Sequence, residues 1–344
     1  MKKPAIYALT KKGARLARKI AQELGGDVFV HKRCGARQGE KEFEDLGQVI
    51  KGAFFQYSAH VFVAAAGIVV RTIAPLISSK DKDPAILVLD HNGRFCISLL
   101  SGHLGGANDL ARRVASITGG QAVITTATDT EGIVAIDILA KAKGLAIENI
   151  SALKYISGAA LGGDPVQVYD PEGRLGTLDE QEMGFKIVPI GNLAKLQPSF
   201  PSIVVTWKQV PHMTNRLILH PKCLVAGVGC NRDTPSEEII GLINRVFEEN
   251  RLAMSSLSAL ASINAKQDER GLLDAAERLK ARVLFFSKDH LNNIEVKNPS
   301  TIVKFHMGVE GVCEPAAILG AGKGRLIVPK TKSKNVTVAV ALEP

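Results

Sequence analysis

The chain has 344 residues, 46% hydrophobic and 22% charged, close to ordinary globular usage, which excludes a disordered or fibrous protein. Its formal net charge of +9 is spread as +5 over residues 1–140, +1 over 141–220 and +3 over 221–344. With no basic arm and only 5% aromatic residues, that spread argues against nucleic acid and fits a small polyanionic ligand.

The longest apolar run, residues 61–70, falls far short of the roughly 20 residues that span a bilayer. The leading MKKPAIYALTKKG lacks a signal peptide's apolar stretch, so a cytoplasmic protein with no membrane partner is expected. Cys34, Cys96, Cys223, Cys230 and Cys313 are odd in number and form no CxxC pair, as suits a reducing compartment. The histidines show no metal-ligand spacing, so no metal site is expected.

Taken in chain order, residues 5–9 read as a short strand, and Thr10 caps a helix that Gly25 and Gly26 end near Leu24. A strand at 28–30 and a helix within 43–55 follow, then an unbroken apolar strand at 60–66 of the kind buried on both faces. Gly67 ends it, and residues 68–77 turn away as a helix with Arg71 expected in its first turn. Residues 85–89 and 94–99 flank His91-Asn92-Gly93, a hairpin signal. A helix from about Gly105 to Thr118 stops at Gly119-Gly120 and precedes a strand at 122–125. Residues 141–220 are broken by glycine and proline into a helix near 150–161 and short strands.

From 221 the alternation restarts. A strand at 223–228 leads to a helix that Thr234 is expected to cap, with Pro235 in the first helical position and Glu237 completing a capping box. A helix at 268–280, a strand at 283–286, a short helix at 313–319 and strands at 326–329 and 336–342 complete the reading. The fold expected is two α/β domains, 1–140 and 221–344, with mostly parallel or mixed sheets, joined by a small irregular α/β middle region at 141–220.

Three segments stand at predicted strand ends. SGHLGGANDLARR (101–113) places glycines at a strand-to-helix turn, where bare amides and the helix dipole favour an anion. Ser101 and His103 lie on that turn, with Asn108 and Asp109 a turn further in. AAAGIVVRTIAPL (64–76) brings Gly67 and Arg71, a cation expected to oppose the dipole and so to have another task, such as an anion. TTATDTEG (125–132) brings Thr126, Thr128 and Asp129. In a doubly wound sheet these ends would share one crevice.

In the last third, AGVGCNRDTP (226–235) has Gly227 and Gly229 as G-x-G but Arg232 where a dinucleotide fingerprint needs a small residue. GAGKGR (320–325) likewise fails as a phosphate loop, because Gly324 follows Lys323. Lys266, Asp268, Glu269, Glu310 and Glu314 are polar positions beside apolar runs, as compatible with capping as with chemistry.

The stretch AAAGIVVRTIAPLISSKDKDPAILVLDHNGRFCISLLSGHLGGANDLARRVASITGGQAVITTATD resembles the cobalamin-biosynthesis protein G family of cobalt-precorrin-5A hydrolases. So do LVAGVGCNRDTPSEEI, SALASINAKQDERGLLDAAERL, GVEGVCEPAAILGAG and LIVPKTKSKNVTVAVA, while the middle is similar to the family's variable linker. The resemblance implies an enzyme of anaerobic vitamin B12 synthesis that opens the δ-lactone of cobalt-precorrin-5A and releases acetaldehyde, giving cobalt-precorrin-5B. It also implies a corrinoid substrate that brings its own cobalt, so no cofactor is expected, and transient contact with other cobalamin-pathway enzymes. A non-catalytic corrinoid carrier in the same pathway is the alternative, and a nucleotide-binding dehydrogenase rests only on the imperfect glycine pattern.

From the pile-up of groups at strand ends, His103 is expected as general base, Ser101 and the Gly105 and Gly106 amides near the oxyanion, and Asp129 to orient the proton traffic. Gly67, Arg71, Gly102, Gly105, Gly106, Asn108, Thr126, Gly227, Gly229, Arg232, Lys266, Glu269 and Glu314 are expected to bind the substrate, whose many carboxylates suit cationic and helix-start positions.

Overall fold

The computed structural model describes residues 3–79, 82–103, 105–176, 179–295, 309 and 311–344. It divides into two compact units: one of Met1–Leu139, Ser157–Asp164 and Asp179–Lys186, the other of Ala140–Ile156, Pro165–Leu178 and Ile187–Pro344. Among the described residues the strands form one seven-stranded and two five-stranded sheets.

The first sheet contains β1 (Ala5–Ala8), β2 (Asp27–His31), β3 (Lys41–Phe43), β4 (Ala59–Val63), β5 (Ala85–Leu89), β6 (Phe95–Leu100) and β7 (Gln121–Val123), in the order β3-β2-β1-β4-β5-β6-β7. Its helices are α1 (Lys11–Leu24), α2 (Leu46–Ala53), α3 (Ala66–Ile73), α4 (Ala107–Thr118) and the short α5 (Ala127–Thr130). Every residue of β4 and β5 is buried, which requires cover on both faces. Ile6, Ala8, Val61 and Leu87 meet the apolar stripes of α1 and α4 on one face. Tyr7, Phe62, Ile86 and Val88 meet α2 and α3 on the other. Thr10 caps α1 by accepting from the Gly13 amide at 3.1 Å, and Gly25 closes it in a left-handed conformation, as the sequence predicts.

The second sheet is built from β8 (Leu145–Ile147), β9 (Val166–Tyr169), β10 (Ile187–Pro189), β11 (Ser202–Val205) and β12 (Arg216–Pro221), in the order β10-β9-β11-β12-β8, with β8 antiparallel. Helices α6 (Ile136–Ala142), α7 (Leu153–Gly162) and α8 (Glu180–Met183) belong to the same stretch of chain.

The third sheet contains β13 (Leu224–Cys230), β14 (Leu257–Ile263), β15 (Arg282–Phe286), β16 (Arg325–Lys332) and β17 (Val336–Leu342), in the order β15-β14-β13-β17-β16. β13, β14 and β15 are parallel, and β17 is antiparallel to β13. α9 (Ser236–Glu249) and α10 (Arg270–Arg278) cover one face. α11 (Lys288–Asn292) and α12 (Cys313–Gly320) cover the other. The α9 start differs from expectation. Pro235 is the N-cap and Ser236 the first helical residue, while the Thr234 hydroxyl donates to the Asn231 carbonyl at 2.9 Å and caps nothing.

Candidate active site

β5 and β6 are antiparallel and β6 and β7 parallel, so the turns after Leu100 and Val123 open at one edge of the sheet. His103 comes from the first turn and Asp129 from α5. His103 Nε2 lies 2.9 Å from Asp129 Oδ2, and Thr128 Oγ1 lies 3.3 Å from the same nitrogen. Asn108 Nδ2 donates to Asp129 Oδ2 at 2.8 Å, and an Arg112 terminal nitrogen donates to Oδ1 at 2.7 Å. Burial pushes the Asp129 carboxyl up, but the hydrogen bonds from Arg112 and His103 outweigh it and hold it below the usual carboxylate range. The result is a partly buried imidazole backed by an ionised carboxylate, an arrangement suited to a general base.

The turn is not the open amide cradle expected from its glycines. The amides of Gly106, Ala107 and Asn108 donate to the carbonyls of His103, Ser101 and Gly102 at 2.8, 3.1 and 3.0 Å. Of the Gly105–Gly106 pair, Gly105 alone has an amide without a main-chain acceptor among the described residues. Ser101 sits at φ 58° with its hydroxyl donating to the Asp83 carbonyl at 2.9 Å, so its proton is committed. Gly102 and Gly105 are close-approach positions: a Cβ would stand 2.8 Å from Asn108 Oδ1 at the first and 2.4 Å from Ser101 Cβ at the second. Asn108 is 2% exposed, and Thr126 accepts from its amide at 3.3 Å. Asn108 therefore supports Asp129 from inside the fold rather than facing a ligand.

Gly67 and Arg71 do not join this cluster. Val63 pairs with Leu89, and Leu89 with Cys96 near the start of β6, so Gly67 follows a strand that ends at the opposite edge. The hairpin reverses β6, and with it the edge at which its end emerges. Arg71 is exposed in the last turn of α3, where a cation complements the dipole, so the argument for an anion partner falls away.

In the third sheet, β13 and β14 end side by side. Lys266 Nζ donates to Glu269 Oε2 at 2.9 Å, both buried, and Glu269 Oε1 accepts from the Asp233 amide at 2.8 Å. Arg232 donates to Asp268 Oδ1 at 2.7 Å and stands 3.8 Å from Glu269. Gly227 is no ligand cradle: a Cβ there would lie 1.8 Å from the Cys313 carbonyl oxygen, because α12 packs directly on β13. Gly229 accepts from Thr337 Oγ1 at 3.3 Å. Buried Glu314 accepts from the Lys330 amide at 2.9 Å, and Glu310 lies outside the described residues. No group of three or more His, Cys, Asp and Glu among the described residues is arranged to hold a metal ion.

Ser98, which donates to Asn108 Oδ1 at 2.7 Å, is the participant that sequence reasoning missed. Its only signal is a hydroxyl in an otherwise apolar strand. Thr128 and Arg112 were visible as polar residues near the motif, but not their contacts with His103 and Asp129.

Comparison with known proteins bears on the whole chain. Residues 48–129 match the profile described as cobalamin synthesis G N-terminal, 134–221 the cobalamin biosynthesis central region and 224–341 the cobalamin synthesis G C-terminus. The chain is 32% identical to the cobalt-precorrin-5A hydrolase of Priestia megaterium, over 99% of this chain and 95% of that protein. It is 33% identical to the hydrolase of the same name from Salmonella typhimurium, over 98% of this chain and 97% of that one. Among solved structures, a cobalamin biosynthesis protein G homolog from Sulfolobus solfataricus is 23% identical, covering 99% of this chain and 97% of that one, with a TM-score of 0.37.

Proposed function

The chain belongs to the cobalamin synthesis G family and is a hydrolase of cobalamin biosynthesis, and we propose that it opens the δ-lactone of cobalt-precorrin-5A at the His103–Asp129 pair. The observation that carries this placement is the 2.9 Å contact between an imidazole and a carboxylate that Asn108 and Arg112 also hold. His103 takes a proton from water as the water oxygen adds to the lactone carbonyl. The ring C–O bond then breaks, and the departing alkoxide takes that proton back, leaving a carboxyl and an alcohol. We assign the transient oxyanion to the Gly105 amide, which has no main-chain acceptor among the described residues. Loss of the two-carbon fragment as acetaldehyde follows: the alcohol's O–H proton leaves, its C–O becomes a carbonyl, and the carbon–carbon bond's electrons stay with the macrocycle, which is reprotonated.

The cobalt belongs to the substrate, and the proposal requires no cofactor. Substrate carboxylates give the +9 charge a purpose. We assign the reaction to the cytoplasm, where cysteines that are free among the described residues stay reduced. Brief contact with neighbouring pathway enzymes would pass on the product. Anaerobic incubation of the purified protein with cobalt-precorrin-5A tests the proposal. Stoichiometric acetaldehyde is expected, whereas binding that shifts the corrinoid spectrum without aldehyde would favour a carrier.

A further inference from the structure

We propose that Ser98 and Asn108 are positioning residues that hold His103 as the Nε2–H tautomer, so that Nδ1 is the nitrogen that accepts the proton from water. The inference rests on His103 being the base and adds which nitrogen acts and what fixes it.

Asp129 Oδ2 can only accept, so it settles the orientation of the Asn108 amide, whose oxygen end accepts from Ser98 Oγ at 2.7 Å. Its nitrogen end must then face the other way, where it meets Asp129 Oδ2 at 2.8 Å and Thr126 Oγ1 at 3.3 Å. A reversed amide would set its oxygen against the carboxylate, acceptor facing acceptor, while Ser98 Oγ could turn to accept from the nitrogen. Asn108 is 2% exposed, so water cannot relieve that clash. Gly102 completes the seat, because any side chain there would press on Asn108 Oδ1.

The fixed amide in turn fixes the carboxylate. Arg112 takes Oδ1, while Oδ2 accepts from Asn108 and lies 2.9 Å from His103 Nε2. The carboxylate offers only lone pairs, so Nε2 must present a proton; the opposite tautomer would bring two acceptors together. In the neutral ring the basic lone pair is then on Nδ1, which has no hydrogen-bond partner among the described residues. Arg112 and Asp109 are the other charged groups at this cluster, and they contact each other at 3.1 Å. The relay thus runs Ser98, Asn108, Asp129, His103, across β6, α4, α5 and the turn before α4.

Imidazole 15N spectra of the full-length protein labelled at histidine test this directly. Wild type is expected to show protonated Nε2 and unprotonated Nδ1 for His103, assigned by the signal lost in His103→Gln. Asn108→Ala is expected to give a mixed tautomer and to lower kcat for acetaldehyde release roughly 10- to 100-fold with little change in KM, the range seen for outer partners that orient imidazoles. Should Asn108→Ala not fold, Ser98→Ala removes one hydroxyl from the same relay and is read the same way, with Ser98→Thr expected to restore the wild-type tautomer. A protonated Nδ1 in wild type, or a tautomer unmoved by the folded variant, overturns the relay even where His103→Gln is inactive. Full activity in His103→Gln overturns the base assignment and the relay together.

Discussion

At Gly227 a hydrogen is all that fits. The G-x-G of residues 227–229 imitates a nucleotide-binding turn, yet the first glycine exists because α12 lies on β13 with the Cys313 carbonyl against it. Gly227→Ala is therefore expected to force helix and strand apart and to cost about 1–3 kcal/mol or more. A clear fall in melting temperature, read by circular dichroism, checks this, and an unchanged melting point contradicts it. The same reasoning separates two kinds of glycine in the 101–106 turn. Gly102 is needed to make room for Asn108, whereas the amide of Gly106 is consumed in closing the turn on the His103 carbonyl. Composition displays glycines alike; only geometry tells packing from binding.

At the scale of elements, apolar runs and punctuation carried the helices and strands well. Thr10, Gly25, the buried strand before Gly67 and the His91-Asn92-Gly93 hairpin all act locally, and local chemistry decides them. Strand direction is legible too. A hairpin reverses the chain, so the ends of β4 and β6 could not share a crevice, and Arg71 could not stand beside His103 on that ground. β14 is hidden in the sequence because SALASI offers serines and alanines rather than branched residues, although all seven of its residues are buried.

Edge pairing also sets an acid response. Asp27, at the start of β2, accepts from Tyr57 at 2.8 Å and pairs with Lys41 at 3.1 Å and with Lys3. Burial pushes its carboxyl up, but those partners outweigh it and bring it from 3.8 down to about 2. A folded value below the unfolded one means stability fully present above about pH 4 and lost as pH falls toward 2. Asp27→Asn should be less stable than wild type at pH 7, with a smaller drop in melting temperature between pH 4 and 2. Parallel melting curves for both chains across that range would contradict the assignment.

Over the whole molecule, family and reaction follow from motifs running along nearly all of the chain, whereas the site follows from folding. His103 and Asp129 were legible as candidates because histidine and aspartate beside glycine at strand ends are few and distinctive. The contacts that hold them are not legible, although Asn108 is itself a candidate, since Ser98, Asn108 and Arg112 act through distances of 2.7–2.8 Å that no spacing encodes. The charge of +9 is spread along the chain, +5 over residues 1–140, +1 over 141–220 and +3 over 221–344, rather than gathered in one segment.

The central claim is that His103 does the chemistry, and single-turnover acetaldehyde release from cobalt-precorrin-5A by His103→Gln measures it most directly. The account predicts a rate at least about 100-fold below wild type, the usual worth of a general base, with substrate binding retained. A variant that binds the corrinoid and releases acetaldehyde at the wild-type rate would contradict it.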